Sequence, residues 1–159
     1  MRIRQYEDRD ADAVVGLSLR AWAPIFASIK RVMGSEIFQG LYLKGWRESQ
    51  RQAVREVCAS REKPVWVADA DGTAIGFVAV EVHPDSNMGE IYMLAVDPDH
   101  QGVGIGTALT EFVLERIKDA GMEIAMVETG GDPGHAAARR TYEKAGYTQL
   151  PIARYFKKL

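Results

Sequence analysis

The residues best suited to chemistry in this sequence form the run Gln101-Gly102-Val103-Gly104-Ile105-Gly106-Thr107, between a strand pattern and a helix pattern. A strand-to-helix loop brings several backbone N–H groups to one point, where the helix dipole adds positive potential. Glycines let the backbone close on an anion and permit positive φ angles. The run therefore predicts an anion site.

Two other glycine motifs that bind phosphate fit this run poorly. The Walker loop requires a lysine before its serine or threonine, whereas Thr107 follows Gly106. The dinucleotide fingerprint requires a third glycine where this chain has Ile105 or Thr107, depending on the register. A tight turn with a purely structural role stays open as an alternative.

Apolar periodicity predicts the elements that must position this loop. Strand patterns cover residues 2–6, 65–68, 74–82, 89–96 and 122–127, with one or two final strands in 147–158. Helix patterns start at Asp8 or Asp10 and end at Pro24, then cover 35–60 with a break near Gly45, 104–120 and 135–145. Residues 89–127 predict a βαβ unit with parallel strands and a right-handed crossover. The sum is a mixed α/β sheet with helices on both faces.

Length and composition predict one globular domain, residues 1–159. The chain is 47% hydrophobic and 26% charged, with net charge -2. Interleaved charges of both signs disfavour nucleic acid and anionic membranes as partners. The N-terminus lacks the apolar stretch of a signal peptide, and no run approaches bilayer length, which predicts a cytoplasmic protein.

The single cysteine and the three histidines give little support to other chemistries. Cys58 lies on an apolar stripe with Val54 and Val57, which predicts a small buried residue rather than a nucleophile. His83, His100 and His135 have no close-spaced partners in the sequence, so no metal site is expected.

The glycine run and its flanks resemble the GNAT superfamily of N-acetyltransferases, whose signature is Arg or Gln, two residues, Gly, one residue, then Gly or Ala. Here the signature is Gln101-x-x-Gly104-x-Gly106. The resemblance extends back through Ile91–Pro98 and forward to Ala138–Tyr147, and covers about the last 95 residues. It implies a mixed, mostly antiparallel sheet of 6–7 strands with a central parallel βαβ unit. It also divides the domain into variable acceptor-side helices in 1–60 and an acetyl-coenzyme A-binding core in 61–159.

The resemblance implies that acetyl-CoA is the acetyl donor. In the family, the strand before the loop bulges and splays from the next parallel strand, so that unpaired backbone groups bind pantetheine. Leu94, Ala95 and Val96 fall at those positions, and residues 101–107 would hold the pyrophosphate. Ala138 lies on the last helix, beside the predicted cofactor position.

Two residues match the family's catalytic positions. Glu90 lies at the start of the central strand, where other members place a general base, although a solvated acid is an equal alternative. Tyr142 matches the tyrosine that donates a proton to the departing thiolate, the alternative being an aromatic that fills the helix–sheet interface.

Other positions of the last helix depart from the family pattern or are ambiguous. Many relatives have Asn where this chain has His135, for which cofactor contact and a helix cap are both open. Arg139 and Arg140 could approach the 3'-phosphate of the cofactor or remain solvated.

The acceptor side is less defined. Aromatic residues that could wall it, or fill the core instead, are Trp22, Phe26, Phe38, Tyr42, Trp46 and Tyr92. Glu81, Asp85 and Glu90 suggest a cationic small-molecule or peptide amine as the acceptor. Rival functions are a protein N-terminal or lysine acetyltransferase and a non-catalytic acyl-CoA sensor. A homodimer is compatible with the sequence.

Overall fold

The fold combines five strands with five helices, as described by a computed structural model of residues 1–159. The strands are β1 (Arg2–Gln5), β2 (Val65–Ala70), β3 (Thr73–His83), β4 (Met88–Val96) and β5 (Ile124–Val127). The helices are α1 (Ala11–Met33), α2 (Ser35–Leu41), α3 (Trp46–Ala59), α4 (Ile105–Asp119) and α5 (Ala136–Lys144). Short 3-10 turns precede α1, α5 and β4 and follow β4.

The sheet has the strand order β1-β2-β3-β4-β5. Every neighbouring pair is antiparallel except β4 and β5, which are parallel and joined through α4. The predicted mixed sheet with a parallel βαβ unit is therefore confirmed, but it has five strands rather than 6–7.

The predicted final strands in residues 147–158 are wrong. Residues 147–159 form no regular element, and the apolar side chains of Leu150 and Ile152 are 78% and 73% exposed. Their alternation suggests a strand, but neither side chain is buried, so the alternation gains no hydrophobic stabilisation. Pro151 between them also lacks the N–H that a ladder requires.

Helix α1 continues through Pro24, although proline was predicted to end it. Proline in a helix interior removes a hydrogen bond and crowds the preceding turn. Side-chain contacts beyond Pro24 hold the second half, since Phe26 is buried and its ring stacks on Trp46 with centroids 4.6 Å apart.

The expectation that no segment reaches bilayer length is also wrong. Because the helix does not stop at Pro24, Asp8–Met33 spans 26 residues and is long and apolar enough, by length and composition only, to cross a membrane. Its inner side carries Val14 and Leu17, which are fully buried with Phe77 of β3. The same helix thus serves as a core helix of this sheet.

Two hydrophobic clusters cover the two faces of the sheet, which confirms helices on both faces. Residues of α1 and α3 pack with Val67 and Phe77 on one face, here called the α1 face. Residues of α4, including Leu109 and Val113, pack with Ile91 on the other. Cys58 lies partly buried beside the α1-face cluster, and burial raises the pKa of its thiol to about 11. It matches the apolar role predicted for it.

A buried ion cluster ties β1 to β2 and to the start of α1. The guanidinium of Arg4 donates to Asp69 at 2.6 Å and to the two oxygens of Asp10 at 2.7 and 2.8 Å. Hydrogen bonds from Arg4 are the main reason why the pKa values of both carboxyls lie below their usual value.

Candidate active site

Strand β4 changes its pairing halfway along, and only its first half pairs with β5. Ala79 faces Met93 whereas Val80 faces Ile91, so Tyr92 is an extra residue that forms a bulge. Pairing with β5 ends at Ile91↔Val127. The predicted bulge is therefore present, and the β4–β5 pairing ends directly before it, whereas the splay stays a prediction.

The residues predicted to contact pantetheine lie beyond this separation. Leu94, Ala95 and Val96 pair with β3 but have no partner in β5. Their side chains contribute to the two hydrophobic clusters, so only backbone atoms are available on the open edge. A ligand with an extended amide-containing arm can pair there like an added strand.

The glycine run forms an exposed loop against the start of α4. Gly102 and Gly104 have φ angles of 79° and 91°, a region that favours glycine. The Gln101 side-chain amide donates to the Val96 carbonyl at 2.9 Å, which ties the loop to the end of β4.

The backbone N–H groups of residues 102–107 donate to no acceptor in the chain. The first helical bond of α4 runs from the Ala108 amide to the Gly104 carbonyl at 2.9 Å. Residues 102–107 therefore present consecutive unpaired amides at the positive end of a 15-residue helix. This is the geometry of an anion site, as the glycine run predicted.

Sequence reasoning missed Asp97, which anchors the base of the loop. Its carboxylate accepts from the Asp99 amide at 3.1 Å and from the Arg20 guanidinium of α1. Burial opposes its ionisation, but these hydrogen bonds hold its pKa below the usual value. An acidic residue before proline at the end of a strand pattern is a capping signal that could have identified it.

Tyr142 lies on α5 with its ring packed between the helix and the sheet. It contacts the hydrophobic cluster that α4 forms with the sheet and meets Tyr147 edge-to-face, with ring centroids 5.8 Å apart. Burial raises the pKa of Tyr142 to about 12, so its phenol stays protonated at neutral pH and can donate a hydrogen bond. Ala138, one turn earlier on α5, is half-buried.

His135 occupies the N-cap position of α5, but its side chain is held by the preceding turn. Its Nδ1 bonds to Asp132, and the His135 side chain makes no capping hydrogen bond. The Asp132 carboxylate also accepts from the Ser28 hydroxyl at 2.5 Å, which joins this turn to α1. His135 is thus the N-cap residue by position but not through its side chain, and a cofactor contact stays a prediction.

The two arginines of α5 differ in their surroundings. Nη1 of Arg139 donates to the carbonyls of Gly130 and Asp132 at 2.5 and 2.8 Å, so this side chain supports the loop after β5. Arg140 is exposed.

Glu90 has a side-chain partner on the neighbouring strand. Its carboxylate is 2.9 Å from Nε2 of His83, and a carboxylate oxygen of Glu81 lies within 4.8 Å of both. The fold therefore brings His83 close to two carboxylates that the sequence spacing did not identify as its partners. Lys63 lies 3.6 Å from Glu81, so an ammonium already balances part of the negative charge.

The six aromatic residues predicted for an acceptor wall do not form one surface. Phe26, Phe38, Tyr42 and Trp46 form a cluster with centroid distances of 4.6–5.2 Å. Trp22 packs on the core residue Phe77, while Tyr92 is 43% exposed beneath the Lys63 ammonium.

The chain is similar to a known protein family and to several known proteins. The model of the Acetyltransferase (GNAT) family matches residues 32–147. The chain is similar to the mycothiol acetyltransferase of Sanguibacter keddieii, with 40% identity over 91 residues, which cover 54% of the chain and 28% of that protein. It is also similar to the mycothiol acetyltransferase of Stackebrandtia nassauensis, with 30% identity over 170 residues that cover 96% of the chain and 51% of that protein.

The matched regions span about half or less of these curated relatives. Among solved structures, the aminoglycoside N-acetyltransferase AAC(6')-Iy in complex with CoA has a TM-score of 0.66 and 16% identity. The similarity covers 99% of both chains and shows a shared fold.

Proposed function

Since this chain belongs to the acetyltransferase (GNAT) family, we propose that it transfers the acetyl group of acetyl-CoA to a primary amine. The observation that carries the proposal is the row of unpaired amides at residues 102–107, next to the opening between β4 and β5. Together they suit a ligand that has a pyrophosphate at one end and an amide-containing arm at the other.

The residues present fit acetyl-CoA, which would supply an acyl thioester. Amides of residues 102–107 would hold the pyrophosphate, because they point from a helix N-terminus and lack chain acceptors. Backbone groups of Leu94, Ala95 and Val96 would pair with the pantetheine arm. His135 and Ala138 would border the arm from the other side.

Acetyl transfer requires control of two protons. A free alkylamine has a pKa of about 10.4, so a base must take one proton before the nitrogen attacks the thioester carbon. The C–N bond forms, the C–S bond breaks, and the departing thiolate takes a proton from the Tyr142 hydroxyl. The second proton, released by the acylated nitrogen, restores that hydroxyl. Glu90 marks the position of the base, because it is the carboxylate of β4 closest in sequence to the last β4–β5 pair, and it can act directly, through water or through a group bound to it.

The acceptor side is the α1 face, formed by residues 1–60 above the core of residues 61–159. Glu81 and Glu90 lie on this face and favour a cationic amine. Relatives and neighbours are named for mycothiol and for aminoglycosides, so amines differ among proteins that share this fold. We therefore assign a small-molecule amine and leave its identity to a screen.

The test is a screen of primary amines, including amino sugars, polyamines and peptides, that follows free thiol release from acetyl-CoA. Tyr142→Phe removes the proposed proton donor, and we expect a loss of about 10²–10⁴ in kcat with CoA binding retained. Tyr147→Phe is the matched control, because it removes a phenol hydroxyl from the neighbouring ring, whose centroid lies 5.8 Å from that of Tyr142. Equal turnover in both variants and the wild type would remove Tyr142 from the mechanism. Absence of thiol release with every amine tested would refute the proposed function.

A further inference from the structure

A hydrogen-bonded histidine and glutamate lie on the α1 face of the sheet, beside the proposed reaction centre. His83 is the last residue of β3, and its Nε2 lies 2.9 Å from a carboxylate oxygen of Glu90 in β4. The pairing of Glu81 with Glu90 and the alternation of side chains along β3 place all three residues on one face. The antiparallel pairing of β3 with β4 brings His83 and Glu90 together.

The pair lies next to the point where the sheet opens. Glu90 faces Met126 in β5, and the next residue, Ile91, makes the last β4–β5 pairing before the bulge. A thioester carried along the unpaired edge of β4 towards the bulge would therefore approach this pair.

The carboxylate determines which imidazole nitrogen is basic. An ionised carboxylate only accepts hydrogen bonds, so Nε2 must carry the hydrogen and donate it to Glu90. The other nitrogen, Nδ1, then has a free lone pair and makes no hydrogen bond within the chain. The His83 side chain is 35% exposed and that of Glu90 19%, so the imidazole is the more accessible group.

From this geometry, and resting on the proposed function, we propose that His83 is the proton acceptor of the reaction and Glu90 its positioning carboxylate. The ammonium of the acceptor loses one proton to Nδ1, and the freed nitrogen attacks the thioester carbon. His83 then carries the charge beside Glu90 and releases the proton to solvent after transfer. A carboxylate that fixes the tautomer and stabilises the imidazolium is a recurrent arrangement in enzymes.

The surrounding charges suit a cationic substrate. The groups around the imidazole are Glu90 on β4, Glu81 on β3 and, through Glu81, Lys63 before β2. With a neutral imidazole these groups carry one net negative charge. An incoming ammonium is attracted, and the imidazolium formed after proton transfer has a carboxylate in contact.

The first arm of the test compares His83→Gln with Glu90→Gln and with the exposed His100→Asn as control. Glutamine at 83 can still donate to Glu90 but cannot accept the amine proton at neutral pH. We expect His83→Gln to lower kcat about 10²–10⁴-fold. It should also remove the acidic limb from the dependence of kcat/KM on pH. His100→Asn should leave both unchanged, and Glu90→Gln should shift the limb rather than abolish it. Wild-type rates and limb in His83→Gln would overturn the proposal.

The second arm does not depend on turnover. In protein labelled with ¹⁵N at histidine, the His83 signals are identified by their absence in His83→Gln. We expect the Nε2–H tautomer in the wild type and a tautomer mixture in Glu90→Gln. A wild-type Nδ1–H tautomer would overturn the proposed orientation even if the enzyme is active. If no amine is acetylated, the proposed function and the proton transfer both fail, while this measurement still decides whether Glu90 orients the ring.

Discussion

Replacement of Gly104 by glutamate or by glutamine separates the charge of the anion site from its backbone geometry. Gly104 has a φ of 91°, and a Cβ built there meets no atom within 4 Å. Both variants therefore have room for the side chain but force it into the left-handed region, at a cost of about 1–2 kcal/mol. Both should fold, with a melting temperature lower by about 2–4 °C for each kcal/mol.

The two variants should differ in how they bind CoA. A carboxylate at residue 104 lies at the unpaired amides of 102–107, where it can occupy the site itself and repel a phosphate. Two like charges about 6 Å apart at an effective dielectric constant of about 20 repel by about 3 kcal/mol, or about 100-fold in Kd. Glutamine has a similar size and no charge, so it should retain most of the affinity.

Thermal unfolding with CoA measures this difference. At a CoA concentration of about 100 times the wild-type Kd, binding stabilises the wild type by about 2.7 kcal/mol, or about 5–10 °C. For Gly104→Glu the same concentration should stabilise by about 0.4 kcal/mol, or about 1 °C. Gly121→Glu, at the other end of α4 and with a φ of 83°, is the strain-matched control. A CoA-induced shift in Gly104→Glu equal to that of the wild type would refute the anion site.

Two further predictions concern stability. Arg4→Met leaves two buried carboxylates without their partner, so the melting temperature should fall by several degrees at pH 7. Because the folded pKa values of Asp10 and Asp69 are depressed, Arg4 contributes stability above about pH 3.9, and this is lost as pH falls through the folded values. The deficit of Arg4→Met should therefore shrink towards pH 3; a constant deficit would contradict the assignment. Tyr147→Phe removes a buried hydroxyl that has no hydrogen-bond partner and should raise the free energy of unfolding by about 1 kcal/mol, measured by urea denaturation. A loss of stability there would mean that the hydroxyl is satisfied.

The local patterns were sufficient to predict most elements of the fold. The strands β2 and β3, the break at Gly45 and the parallel unit from β4 through α4 to β5 all depend on patterns of residues close in the chain. The errors arose where contacts distant in sequence override local preference. Phe26 on Trp46 keeps α1 helical beyond Pro24, and the alternating residues near Pro151 have no surface on which to pack.

The same division holds for the candidate site. The loop of residues 101–107 was predictable, because unpaired amides and positive φ angles are properties of a short contiguous segment. The tertiary structure decided that His83 meets Glu90 and that Arg20 anchors Asp97. Those pairs depend on strand register and helix packing, which bring together residues 7 and 77 positions apart, and no local spacing rule encodes them.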